Sequence, residues 1–371
     1  MSEHGGCLIA IWLSIDDNGY FFDFGQRTLI PVEGQRVAVK FYPGMRAIPV
    51  SNAEAGPRFT VAIPTYERPA YLARAVRSVL MQTRVPDEVL VVHRRDDSET
   101  VLTFNGLLNL SRGNLLRFVE VEEPGFLPPI WQAVQNCSGD VIAFLDDDAE
   151  AHQDWLERLS AFYADPSVGG VGGRYVYYLN GEQQHLPPAD VAGKLYWYGR
   201  FVGNMYKDFK PGRPIFVDCL IGGNMSYRVS LARECLPARA LNRDVAFNWE
   251  LDMALKIKRR GYCIVYEPGA AVDHHSAPRK ISGMRTWNYA GIYYANYNFA
   301  YIIMRHFNMF RRLGYIGYTA VVGEETSPGL ARLVPLWSMR RGLNWQLINA
   351  SIRGRLDGAR AGLKAARMRA S

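Results

Sequence analysis

Five apolar residues in a row, Val141-Ile142-Ala143-Phe144-Leu145, run directly into three aspartates, Asp146-Asp147-Asp148. An unbroken apolar run of this length suits a central strand covered on both faces. Such strands belong to mostly parallel sheets with helices above and below, and ligands of these sheets gather outside the carboxyl ends of the strands. The aspartates therefore stand where a ligand would bind. Three adjacent carboxylates repel one another, and a hard divalent cation holding a diphosphate would offset that repulsion. The alternative is a solvated acidic turn at the start of a helix predicted over Trp155–Ala164. The position directly after the strand argues against it.

The surrounding pattern is that of a doubly wound α/β sheet. Phe59–Ile63 reads as a strand ending at Pro64. A helix follows over Pro69–Gln82, with Leu72, Val76, Val79 and Leu80 on one face. Strands are predicted over Glu88–His93 and Leu115–Val121, and a loop over Glu122–Pro129 before a helix over Ile130–Asn136. Ahead of this domain, residues 1–56 hold β-like runs at Cys7–Ile15 and Gln35–Tyr42 and end in linker-like Ser51–Pro57. The expected division is a small β module over 1–56, an α/β domain over 57–280 and a helical, basic region over 281–371. The start of the chain shows no basic stretch followed by a long apolar one, which makes the cytosolic side the expectation. Five scattered cysteines show neither metal-site nor redox spacing.

Several motifs in order resemble a glycosyltransferase family 2 domain. They begin with Val61-Ala62-Ile63-Pro64-Thr65-Tyr66-Glu67-Arg68-Pro69 and continue through Gly139–Asp148 and Gly222-Gly223-Asn224-Met225-Ser226-Tyr227-Arg228. Trp249-Glu250-Leu251-Asp252-Met253 leads to Gly261-Tyr262, and Tyr266–His275 closes the series. The resemblance implies a GT-A type fold, a nucleotide-diphospho-sugar donor, Mn2+ or Mg2+, and inversion at the anomeric carbon. It places the nucleotide on the loop Pro64, Thr65, Tyr66, Glu67 and Arg68. It assigns Asp146, Asp147, Gly222, Gly223 and Asn224 to donor binding and Asp146, Asp148 and His274 to the metal. Inversion needs a base for the acceptor hydroxyl. Glu250 holds the family's place for it, with Asp252 two residues on, although acids in a first helical turn also serve the helix dipole alone. Asp97 is expected at the nucleobase, despite two arginines, Arg94 and Arg95, where relatives are acid-rich. Leu127–Gln132 lacks the arginine that relatives offer to the diphosphate. The processive Gln-x-x-Arg-Trp motif is missing too, so addition of a single sugar is expected.

Charge sharpens the expected partners. The chain carries +7, yet residues 281–371 hold 13 Lys+Arg and 3 Asp+Glu, a local +10. A basic tail points to an acidic surface. That surface could be a membrane, nucleic acid or a phosphorylated ligand, and no nucleic-acid module is recognisable; an anionic membrane is the expected partner, with a glycan or lipid-linked acceptor as substrate and the enzyme peripheral on the inner face of the plasma membrane. The uncharged aromatic stretch Thr286–Met304, and Trp337, Leu343, Trp345, Leu347 and Ile348 among arginines, fit either interfacial helices or a packed helical subdomain. Rival readings are a metal-dependent nucleotidyltransferase and a non-catalytic binding protein for nucleotide sugars or nucleic acid.

Overall fold

Covering the apolar run on both faces takes two layers of helix and sheet, and the computed structural model shows both. It describes residues 20–23, 28–31, 56–108, 115–242, 246–277, 288–324, 327–331 and 345–370. An amino-terminal hairpin pairs β1 (Tyr20–Asp23) with β2 (Thr28–Pro31). The runs expected at Cys7–Ile15 and Gln35–Tyr42 lie outside the described residues. The main domain then alternates strand and helix: β3 (Phe59–Thr65), α1 (Pro69–Leu80), β4 (Glu88–Arg94), α2 (Ser98–Leu108), β5 (Leu116–Val121), α3 (Leu127–Asn136) and β6 (Val141–Leu145). There follow β7 (Ala149–Ala151), α4 (Trp155–Ser160), β8 (Val168–Gly172), β9 (Tyr175–Leu179) and β10 (Glu182–Gln183). Next come β11 (Lys194–Leu195), β12 (Phe201–Val202), β13 (Ile215–Phe216), β14 (Asn224–Arg228) and α5 (Val229–Glu234). Then α6 (Trp249–Arg259), β15 (Cys263–Tyr266), β16 (Val272–His274), α7 (Tyr289–His306) and α8 (Met309–Val321) lead to the last helix, α9 (Trp345–Ala370).

The central sheet has eight strands in the order β13-β15-β8-β14-β6-β3-β4-β5. The run from β6 through β3 and β4 to β5 is parallel. Every residue of β6 is buried. One core lies between the sheet and α1, where Leu72, Ala75, Val76 and Val79 point inward; the other joins α3, α6 and α7 on the opposite face. The loop expected over Glu122–Pro129 is shorter than read, because α3 already starts at Leu127. Pro128 and Pro129 fall in its first turn, where the missing N–H costs nothing and the fixed φ suits a helix. Strand β14 runs antiparallel to β6 with Asn224 opposite Leu145. That register sets Gly222 and Gly223 beside the aspartates. A second sheet, β10-β9-β16-β7, crosses over the same edge.

The basic carboxyl-terminal region packs as helices. Glycines 354, 358 and 362 form a stripe at four-residue spacing along α9, and a Cβ on each would overlap the carbonyl oxygens of Tyr293, Tyr297 and Tyr301 on α7. The two helices thus meet backbone to backbone. No helix among the described residues is long and apolar enough to cross a membrane. Trp337 and Leu343 lie outside the described residues, as does the start of the aromatic stretch, Thr286 and Trp287.

Helix α6 is pinned to α7 by a buried charge. Asp252 is fully buried, accepts from Ala238 N at 2.9 Å, contacts His306 Nε2 at 2.6 Å and pairs with Lys256 Nζ at 2.6 Å. Burial alone would raise this carboxyl. The bond to His306 and the charge and bond of Lys256 outweigh it and hold Asp252 below the usual carboxylate range. The sign follows: the stabilisation is complete above the unfolded-state pKa of about 3.9 and is lost as pH falls through the lower folded value. Asp252→Asn should lower stability at neutral pH by about 3–5 kcal/mol, the usual penalty for breaking a buried pair. Urea melts of both proteins should show this gap narrowing below about pH 4; a gap that stays constant down to acid pH would refute the charged-pair account.

Candidate active site

Each of the three aspartates after β6 meets a different surrounding. Asp146 Oδ2 accepts from Tyr175 Oη at 2.8 Å. Asp147 is buried and accepts from Thr65 Oγ1 at 2.9 Å and Arg68 Nη1 at 2.8 Å. Asp148 divides its oxygens: Oδ2 accepts from Ala277 N at 3.0 Å and from Arg68 Nη1 at 3.2 Å, while Oδ1 stands 3.2 Å from His274 Nε2. Burial pushes Asp147 upward. It acts upward on Asp148 too, but the hydrogen bond and charge of His274, then the charge of Arg68, hold Asp148 below the ordinary carboxylate range. Arg68 is therefore the counter-charge that lets the loop after β3 sit against the carboxylates.

His274 reaches this cluster through the second sheet. It pairs across β16 with Ala149 of β7 and Tyr177 of β9, and its ring stacks on Tyr175 at 4.8 Å between centroids. Asp146, Asp148 and His274 each offer a ligand atom, and these atoms all lie within 4.8 Å of one another. Two carboxylates and an imidazole are a donor set that suits Mn2+ better than Mg2+, which prefers oxygen alone.

The glycine pair connects this cluster to Glu250. A Cβ at Gly223 would overlap the Tyr175 hydroxyl and the Asp146 carboxylate. One at Gly222 would stand 2.5 Å from Glu250 Oε1. Consecutive Cα atoms lie about 3.8 Å apart, so Asp146 and Glu250 flank a single dipeptide. Glu250 is half-buried, in the first turn of α6. Its neighbour Trp249 is fully buried against Phe126 and Phe144, at 6.2 Å from each ring. With Trp249 and Asp252 both fixed inward, the helix turns Glu250 toward the glycines.

The remaining expected residues divide between the rim and the support. Pro64 is partly exposed near the end of β3. Tyr66 lies under the Arg94 guanidinium, 4.2 Å from its ring centroid. Glu67 adopts a positive φ of 52° and donates its N–H to Asp97 Oδ2 at 2.6 Å. Asp97 is buried and also accepts from Thr100 N and Thr100 Oγ1. Its oxygens thereby hold the loop at Glu67 and the start of α2, behind the rim where the nucleobase contact is expected. Asn224, expected with the glycines at the donor floor, faces inward. It is fully buried, accepts from Trp155 Nε1 at 2.8 Å and donates to the carbonyls of Arg174 and Ala270, clamping the sheets beneath the glycines. Asp252, expected as a catalytic residue with Glu250, is fully buried, with its carboxylate engaged by His306 and Lys256 at the α7 interface. Tyr175, absent from the sequence-based set, is the residue that orients Asp146.

Residues 60–236 match the model of the family described as glycosyl transferase family 2. The glycosyltransferase AglE of Haloferax volcanii is 30% identical over 128 residues, which cover 34% of this chain and 42% of AglE. The fold is similar to that of GalNAc-T7 solved with UDP, GalNAc and Mn2+, with TM-score 0.56 and 15% identity over 78% of this chain and 54% of the other. It is also similar to the mannosyltransferase PcManGT from Pyrobaculum calidifontis in complex with GDP-Man and Mn2+, with TM-score 0.50 and 16% identity over 86% and 90% of the two chains. The chain spans less than half the length of the curated relatives it matches. With the motifs in order along a GT-A sheet, residues 60–236 belong to glycosyltransferase family 2.

Proposed function

We propose that the chain is an inverting glycosyltransferase that moves one sugar from a nucleotide-diphospho-sugar to an acceptor hydroxyl, with residues 57–280 as the catalytic unit. The observation that carries this reading is the Gly222-Gly223 dipeptide, with the Asp146 carboxylate against one glycine and the Glu250 carboxylate against the other. A donor sugar lying over side-chain-free backbone would have a phosphate-binding pole on one side and a proton acceptor on the other. Asp146, Asp148 and His274 would hold Mn2+. When bound, that ion would supply the positive charge that binds the diphosphate and stabilises the departing nucleoside diphosphate. The two solved proteins of similar fold, one with UDP and Mn2+ and the other with GDP-Man and Mn2+, support this choice of ligands.

The chain's own residues have separable tasks in this reading. Thr65, Tyr66 and the Glu67 backbone form the nucleoside rim, and Asp97 holds that rim in shape. Arg68 compensates Asp147 and Asp148 and sits where donor phosphates would arrive. Glu250 takes the proton of the acceptor hydroxyl as it attacks the anomeric carbon from the face opposite the diphosphate. The acceptor is a glycan or lipid-linked glycan in surface polysaccharide or glycolipid assembly. The basic carboxyl-terminal region, with its net +10, supports action at an anionic membrane on the cytosolic face.

Two experiments test the transfer reading. Glu250→Gln keeps size and polarity but removes the base, so kcat should fall about 10²–10⁴-fold with donor affinity nearly unchanged. Near-normal kcat in the folded variant would remove Glu250 from the chemistry. Chelation, or Asp148→Ala, should abolish transfer and the Mn2+-dependent thermal shift produced by UDP or GDP, while leaving the unliganded protein folded. Full turnover after exhaustive chelation would refute the metal-assisted reading.

A further inference from the structure

Helix α8 is held by one side and leaves the other bare. Tyr315 is its buried anchor, facing Phe299 at 5.9 Å between ring centroids, and Asn308 caps its start by accepting from Arg311 N. The opposite face carries Met309, Phe310, Leu313 and Ile316, which are 74%, 69%, 60% and 51% exposed. Trp197, on the turn between β11 and β12, extends this face: it is 52% exposed and stacks on Phe310 at 5.3 Å between centroids. Gly314 allows that approach, since a Cβ there would come within 2.6 Å of the indole. The patch is thus built from two elements that brace each other.

Its flank is basic. Helix α8 contains Arg311 and Arg312 and no acid. Arg311 is fixed over the Phe307 ring at 3.6 Å and donates to the Trp197 carbonyl at 3.4 Å. Helix α9 touches α8 through Arg355, which donates to the Thr319 carbonyl at 3.2 Å, while its exposed Arg353, Arg360, Lys364 and Arg367 stand on the side of α9 turned away from that contact. An aromatic and aliphatic face beside arginines has the composition of a helix lying in a bilayer interface. A second copy of the chain is a poorer occupant, because pairing this face with itself would bring the arginines of α8 together.

We propose that Trp197 and the Met309–Ile316 face of α8 dock on an anionic phospholipid surface. The apolar side chains enter the headgroup boundary while the arginines meet lipid phosphates. The docking face is mechanically tied to the candidate active site. Leu195 N, at the base of the Trp197 turn, donates to Asp218 Oδ2 at 2.8 Å, and Asp218 also pairs with Lys258 of α6, the helix that carries Glu250. Its use in presenting a lipid-linked acceptor rests on the transfer reading, whereas lipid binding itself does not.

The test is flotation of the full chain with phosphatidylcholine vesicles, with and without phosphatidylglycerol, comparing the native protein with a Met309→Asp, Leu313→Asp double variant, which leaves the Phe310–Trp197 stack in place. Both side chains are exposed, so the variant should keep its melting temperature. The native chain should float only with phosphatidylglycerol, and added salt should weaken its binding. The variant's partition coefficient should fall at least about tenfold. No binding by the native chain, or equal binding by the variant, would overturn the proposal. So would a native dimer in light scattering that becomes monomeric in the variant without any vesicle binding, since the occupant would then be a second copy. A thermal shift with Mn2+ and UDP or GDP, run on the same samples, reports the donor site separately and should be equal in both proteins.

Discussion

Concentrated negative charge at the end of β6 is the constraint around which this domain is organised. Three carboxylates leave a strand buried on both faces, where water cannot screen all of them. The surrounding elements divide the task. The loop after β3 brings Thr65 and Arg68 to Asp147, the second sheet brings Tyr175 to Asp146 and His274 to Asp148, and the backbone of Ala277 closes on Asp148. Each contact ties a separate chain segment to the carboxyl edge of the sheet. A negatively charged edge tied down in this way would hold a cation, and through it a diphosphate, with little reorganisation.

A second, buried charge fixes the opposite wall. Asp252 binds Lys256 within α6 and His306 on α7, and α7 in turn lies against the glycine stripe of α9. The carboxyl-terminal helices are therefore structural partners of the helix that presents Glu250. Their basic, aromatic composition reflects two demands at once. Tyrosines and glycines of α7 and α9 make the interhelical contact, while the apolar face of α8 remains outside it.

Local patterns made much of this legible in the sequence. The strand Val141–Leu145, the triple aspartate, the glycine pair and the first turn of α6 are contiguous signals, and their order carried the family resemblance. What stayed hidden depended on pairings between distant segments. Tyr175 meets Asp146 only because β9 and β16 pair in a separate sheet, which period-two reading of such short strands cannot assign. Glu250 and Asp252 look alike as first-turn acids, and the packing of His306 decides which one is buried. Asp97 and Asn224 are placed at the donor by the family resemblance alone. That their side chains bond the backbone beneath the site depends on Glu67 and the buried Trp155, which no local pattern pairs with them.

The central claim is that Asp146, Asp148 and His274 together form one cation site next to Gly223. Anomalous diffraction from crystals grown with Mn2+ and a nucleoside diphosphate tests this directly. The account predicts a single strong manganese peak at bonding distance from one or both carboxylates and from His274 Nε2, with the diphosphate completing its coordination. A manganese peak coordinated elsewhere in the chain, or a diphosphate bound away from this cluster, would contradict it.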